Sequence, residues 1–532
     1  MAAPEAALAA LRAVATECQA LAAGFSDEKV TEGLAITVGL RALFQRPAAA
    51  SAAVAGLAAQ LLEFLSFVPP ELTSIILSQL NIRALARLAA TCRLLWCDAP
   101  TPSPLPTPGL VGMELRRRAE ARGLHVGSSR PEGALTWVTY LLKNEFYDAL
   151  RRQAPLAVAI RHSIFVDMEG RLHLACLRED IRAGYVGEPL LGHNLGSDAG
   201  ASVSAPPTLV PLMQDKRIVS VARALSHGLA LSAEGEVYSW GVFGHVDGSA
   251  SAGPRPIELL KGVESIAAGG FTSAAVDDRG RLFTWGRVAW GQGPTGLGYE
   301  LDPETELQLT PKRVDALSED RVVGVALGHC FTLAVTDAGA FFSFWKSEHG
   351  ALGHGSLESE VLPRRVEALT ETGRRFVAVA AGDDHALALT EEGYVYGWGH
   401  GDANGHGQEQ RTPQRVASLV SEPVKLVYAR QNSSCAVTEK GELYTWGSGS
   451  GFHLGHGVAA AQPTPKRVEA LRRVKVTAAA ICAGHTLVAG EDGVVWGFGL
   501  RAFLRLGGAD ALPWTFVMQP TPIPNLRVRT LP

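Results

Sequence analysis

The chain has 532 residues, 47% of them hydrophobic and 19% charged, with a formal net charge of −4. This length exceeds one ordinary hydrophobic core, so several domains or a repeat architecture are expected. The even charge balance, with no basic stripe or tail, argues against a nucleic-acid partner; the lack of a long apolar run argues against a membrane span.

The first 61 residues are Ala-rich and helical in tendency. Leu8, Leu11, Cys18 and Leu21 fall near helical spacing, and a second candidate helix covers 34–44 before Pro47. Glu5 and Glu17 interrupt the start, which counts against a secretory signal. No chemistry is visible there.

Residues 62–97 form the next unit. Pro69 and Pro70 open a helix on which Leu72, Ile75, Ile76 and Leu80 make an apolar stripe. Leu85, Leu88, Cys92 and Arg93 continue the pattern in a second short helix. The segment resembles the F-box, a helical module that docks on the Skp-type adaptor of cullin ubiquitin ligases. The resemblance rests on Pro69, Glu71, Leu72, Ile76, Leu77 and Leu80, then Leu85, Leu88, Cys92 and Arg93; Ala89 and Ala90 stand where the family has bulkier residues. It implies adaptor contact through Pro69, Leu72, Ile76 and Leu80. Residues 98–153 follow as a linker, Pro-rich over 98–109 and helical over 113–122 and 134–152.

From 154 to 532 one cassette keeps returning: a small residue, a His, an alternating apolar run, a Gly, more alternation, then Trp-Gly. Two alternating runs around a glycine make a β-hairpin. The marker glycines are Gly170, Gly235, Gly280, Gly339, Gly393, Gly441 and Gly493, about fifty residues apart, as expected for one supersecondary unit per repeat. Units of four strands repeated radially give a propeller, here with seven blades. Exit signatures follow each Trp-Gly, such as Gly350–Gly355 and Leu454–Gly457, and then a Pro before a basic strand, as at Pro311, Pro363, Pro413 and Pro465. The cassettes are similar to those of the regulator of chromosome condensation family, whose members form seven-bladed propellers. Departures are Ala175 and Phe344 in place of the Trp, and Trp496 two residues early. The fold class is therefore mainly β, a seven-bladed propeller behind an all-α N-terminal region containing the F-box-like module.

The recurrent His is present as His162, His227, His385 and His485, replaced by Thr272, Phe331 and Ser433 elsewhere. One His per repeat lacks the clustered ligands a metal needs, so these rings are expected to pack under turns and bond to backbone. Seven scattered cysteines without a C-x-x-C pair fit a reducing compartment, and a cytoplasmic or nuclear location follows. There is no Walker loop, G-x-S-x-G elbow or H-E-x-x-H motif, so the expectation is a non-enzyme without cofactor.

The two resemblances together imply a substrate adaptor of a cullin-type ligase, with the Skp-type adaptor and cullin on one side and a client protein on the propeller. The propeller resemblance alone implies another role, exchange factor or regulator for a small Ran-like GTPase, although the wedge and basic tail of that branch are not identifiable here. A plain interaction scaffold is the third reading. Client binding is expected on loops longer than the repeat requires, which lie between Gly170 and Gly235 and between Gly280 and Gly339; Trp290 and Tyr299 are the candidate anchors in the second.

Overall fold

The computed structural model describes residues 155–159, 162–176, 208–210, 213–224, 227–241, 251–287, 297–299, 307–500 and 516–528. The expected N-terminal helices, with Pro69, Leu72, Ile76 and Leu80, and the loop residue Trp290 lie outside them.

Seven four-stranded antiparallel sheets follow one another, over 156–209, 218–256, 263–313, 322–365, 376–415, 424–467 and 476–527. In blade five the strands are Phe376–Ala381, His385–Thr390, Val395–Gly399 and Gln410–Arg415. Each blade uses four consecutive strands. The first strands touch one another in sequence, and that of blade one also meets that of blade seven, so the ring closes. Second strands such as His385–Thr390 are buried along their whole length, because neighbouring blades cover both faces. Fourth strands are the partly exposed outer edges. Pro413 in blade five and charged residues such as Arg415 discourage further pairing there.

The marker glycines mark the hairpins for two reasons. All seven have φ between 74° and 88°, a region that disfavours other residues. The first six also lie against the start of the next blade, whereas Gly493 lies against Val528 past its own fourth strand: the Gly235 carbonyl accepts from Val263 N at 3.1 Å, the Gly393 carbonyl from Val424 N at 3.0 Å, and the Gly493 carbonyl from Val528 N at 3.0 Å. A Cβ on Gly393 would meet Val424 N at 2.9 Å. In most blades the residue three positions earlier closes the turn with its side chain. Asp167, Asp277, Thr390 and Thr438 accept backbone N–H groups in this way.

Between blades lies a layer of large rings. Trp240, Trp285, Trp398 and Trp446 are fully buried, each opposite a small residue of its second strand: Gly228, Ser273, Ala386 and Ser434. Phe344 opposite Thr332 holds the same register in blade four. In blade seven the register gives the position to Phe498, opposite Thr486. The expected tryptophan is thus not displaced but replaced, and Trp496 is a separate half-buried residue opposite Val488. Trp398 Nε1 donates to Ala351 O in blade four, and Trp446 Nε1 to Ala403 O in blade five, both at 2.7 Å.

The recurrent histidines correct the expectation of a backbone bond. His227 Nε2 meets Ser273 Oγ, His385 Nε2 meets Ser434 Oγ, and His485 Nε2 meets Ser163 Oγ, each at 2.7 Å. Every partner is in the next blade, one position after that blade's own His site. The third bond joins blade seven to blade one and so latches the ring shut. It works beside an apolar seam of Leu156, Val158 and Phe165 against Ile523, Leu526 and Val528. Burial lowers the pKa of all three histidines to about 3, so the rings stay neutral.

Candidate protein-binding face

With four antiparallel strands per blade, the first-to-second and third-to-fourth connections emerge at one end of the ring, and the hairpins at the other. Both long segments singled out in the sequence, 177–207 and 288–306, join third to fourth strands and so start from the first end. Tyr299 is there but does not face a client. It is 8% exposed, its hydroxyl donates to Thr284 O at 2.9 Å, and Lys312 Nζ sits 4.3 Å above its ring. Burial pushes its phenol pKa up. The reason is readable afterwards. Leu297-Gly298-Tyr299 occupies the place of Leu352-Gly353-His354 and Leu454-Gly455-His456, whose imidazoles bond Ser343 and Thr445 within their own blades. Tyr299 is the same brace with a different ring.

The described part of this end is a chain of short connections around the central opening. His329 N donates to Asp383 O at 3.3 Å, Asp383 N to Gln431 O at 3.0 Å, and Ala483 N to Gln431 Oε1 at 2.9 Å. Blades four to seven are thereby stitched together. Arg430 reaches across from blade six to donate from Nη1 to Ala268 O of blade three at 3.0 Å.

Outward from that chain lies a polar rim over blades four and five. Burial raises the pKa of Asp383, opposed by His329 and Arg430. Burial also raises that of Asp384, reinforced by Glu348 and opposed by His349, His329 and His400. His349 Nδ1 lies 3.0 Å from Glu409 Oε2, and Arg411 Nε 3.0 Å from its other oxygen. The His349 and His400 rings meet edge to face at 4.7 Å. Lys346 pairs with Glu348.

Trp345 is the residue that the sequence reasoning missed. The residue after the ring-layer residue has positive φ, as at Gly241, Gly286, Gly399 and Gly447 after Trp and at Gly499 after Phe498; in blade four Trp345 takes that place with φ 92°. Such a conformation in a non-glycine residue costs about 1–3 kcal/mol. The signal was available as Phe344-Trp345 standing where Trp-Gly is due.

Burial raises the Cys330 thiol to about 11, far from a nucleophilic thiolate. Among the described residues no group of His, Cys, Asp and Glu is placed to hold a metal ion.

A closed ring of seven four-stranded units with one inter-blade latch pattern defines a repeat β-propeller with a polar loop face. A sequence profile of the RCC1-like domain matches residues 242–531, more than half of the chain. The chain belongs to the RCC1-like domain family. It is 39% identical over 312 residues to the human E3 ubiquitin-protein ligase HERC2, a stretch covering 56% of this chain and 6% of that protein. It is 33% identical over 294 residues to the ultraviolet-B receptor UVR8 of Arabidopsis thaliana, covering 53% of this chain and 63% of the receptor. The chain thus spans less than two thirds of either relative. Among solved structures it resembles Prp20p of Saccharomyces cerevisiae, described together with its binding to Gsp1p and histones. The TM-score is 0.54 at 21% identity, over 72% of this chain and 89% of that one, a likeness of fold.

Proposed function

We propose that the chain is the substrate-recognition subunit of a cullin-type ubiquitin ligase. The F-box-like segment docks the Skp-type adaptor, and the propeller's loop face holds a client protein. The observation that carries this reading is the apolar stripe of Leu72, Ile76 and Leu80 behind Pro69, a face that needs a partner whether or not it is an F-box. The loop face supports it, since its described residues offer carboxylates, imidazoles and an arginine strut. Likeness of the propeller to part of a ubiquitin ligase, HERC2, is consistent with a place in such a complex. On this reading the chain is a non-enzymatic adaptor that works in cytoplasm or nucleus and leaves the chemistry to other subunits.

A second reading, regulator of a small GTPase, draws on the fold shared with Prp20p. Fold alone does not carry function, and the adaptor reading is preferred. Co-purification of the full chain with a Skp-type adaptor tests it. Central interface anchors cost about 2 kcal/mol or more, roughly thirtyfold in affinity. Leu72→Asp with Ile76→Asp should therefore abolish co-purification while the propeller's circular dichroism is retained. Undiminished adaptor binding by that variant removes the ligase reading.

A further inference from the structure

At the hairpin end a cleft of about 380 Å³ opens between blades two and three, and the other seams show what is missing from it. The residue just before the first strand is basic in blades two, four, five and seven: Arg217, Arg321, Arg375 and Lys475. Its stem lies across the marker glycine of the preceding blade. A Cβ on Gly170, Gly280, Gly339 or Gly441 would meet the Cγ of that side chain at 2.9, 2.4, 2.8 or 2.5 Å.

Blade five shows what such a cation does. Arg375 donates from Nε and Nη2 to the carbonyl of Asp337, the first hairpin residue of blade four, at 3.2 and 3.0 Å. Its Nη1 lies 3.7 Å from the carboxylate of Glu391, the first hairpin residue of its own blade. One guanidinium thus joins a carbonyl of one hairpin to the carboxylate of the next, a two-sided contact that its planar fork suits.

The seam between blades two and three keeps both acceptors and lacks the cation. Gly262 holds the basic residue's place: a Cβ on Gly235 would meet Gly262 Cα at 3.0 Å, as one on Gly339 would meet Arg375 Cα at 3.0 Å. Gly262 also has φ 61°, a conformation that disfavours a side chain. Ala233 stands for Asp337, and Asp278 for Glu391. Asp278 N donates to Gly262 O at 2.8 Å, as Glu391 N does to Arg375 O at 3.0 Å. Among the described residues Ala233 O accepts no hydrogen bond and the Asp278 carboxylate forms no ion pair. Both residues line the cleft, together with Glu234 and Glu264. Arg217 lines it too, but its stem is seated against Gly170 at the previous seam. The cleft therefore has the acceptors of a guanidinium site, and room for a side chain that this chain does not supply.

We propose that this cleft takes an arginine side chain of a partner protein, its guanidinium donating to Ala233 O and pairing with Asp278 as Arg375 bridges Asp337 and Glu391. The site is at the opposite end of the ring from the loop face, so the proposal goes beyond the adaptor reading and does not depend on it.

The test uses the full chain and three fluorescein-labelled heptapeptides, Gly-Ser-Gly-X-Gly-Ser-Gly with Arg, Lys or citrulline as X, read by fluorescence anisotropy. Citrulline keeps the shape of arginine and loses its charge, and lysine keeps the charge and loses the fork. The Arg peptide should bind about fivefold more tightly than the citrulline peptide, the worth of one exposed ion pair, and more tightly than the Lys peptide. Asp278→Asn should remove that fivefold advantage with the melting temperature retained, since the side chain is exposed. Should that variant fail to fold, Glu234→Gln, an exposed acid on the same cleft, decides in its place with a roughly twofold loss. Asp402→Asn removes one exposed acid at the loop end and should change nothing. The proposal is overturned by an Arg peptide that does not bind, or that binds no better than the Lys or citrulline peptide. Undiminished binding to the Asp278 variant, or an equal loss with Asp402→Asn, overturns it as well.

Discussion

Blade five fills the repeat's key positions with His385, Trp398 and Gly399, whereas blade four beside it has Phe331, Phe344 and Trp345. The strands and register are the same. What differs is matched across the seam that each residue faces. His385 meets the hydroxyl of Ser434 in blade six, while Phe331 shares an apolar cluster with Ala386 in blade five. Trp398 donates to the backbone of blade four. Phe344, with nothing to donate, packs on Leu297 and Tyr299 of blade three. The repeat is therefore specified in pairs one blade apart, and a blade departs from the pattern without harm when its neighbour departs with it. Trp345 is the exception, since no companion change explains an indole at a glycine position.

The largest break in this comparison should come from truncating a ring in the inter-blade layer. Trp398→Ala removes a fully buried side chain and leaves Ala351 O without its donor, so it should cost about 3–5 kcal/mol. Chemical denaturation would show this as a lower midpoint with an unchanged slope. A cost under about 1 kcal/mol would mean that the layer is not what holds the blades.

Acid should act on the latched seams and spare the apolar one between blades four and five. His227, His385 and His485 have pKa values lowered from 6.5 to about 3 by burial. Below pH 6.5 the unfolded chain takes up protons that these rings refuse. Their contribution is therefore complete above about pH 6.5 and is lost as pH falls toward 3. His485→Phe with Ser163→Ala, which copies the Phe331 and Ala386 pair, should flatten the fall in stability between pH 7 and pH 5. An unchanged pH profile would assign the acid sensitivity to other groups.

The blade count and hairpins were legible in the sequence because Gly393 and its equivalents are forced by positive φ and by contact with the next blade, constraints that admit almost one residue type. The ring layer was legible where Trp was present and misread at Trp496, since only the register shows that Phe498 opposes Thr486. The latches were half legible. His385 recurs visibly, but its partner Ser434 is a small polar residue a full repeat away, and local pattern cannot pair them. At the candidate face the reasoning failed in a physical way. Loop length points to where sequence is free, yet Tyr299 lies in a long connection and serves as an internal brace. Trp345 escaped notice because an apolar residue at a strand end looks ordinary until its φ is known.

The pairing of residues across seams is the central claim, and a double-mutant cycle at the boundary of blades five and six tests it most directly. His385→Phe and Ser434→Ala are each made alone and then together, and the unfolding free energies compared. Pairing predicts that each single change is destabilising and that the double variant recovers part of the loss, with a coupling of about 1 kcal/mol or more. Costs that add to within about 0.3–0.5 kcal/mol would contradict it and show that the two positions are filled independently.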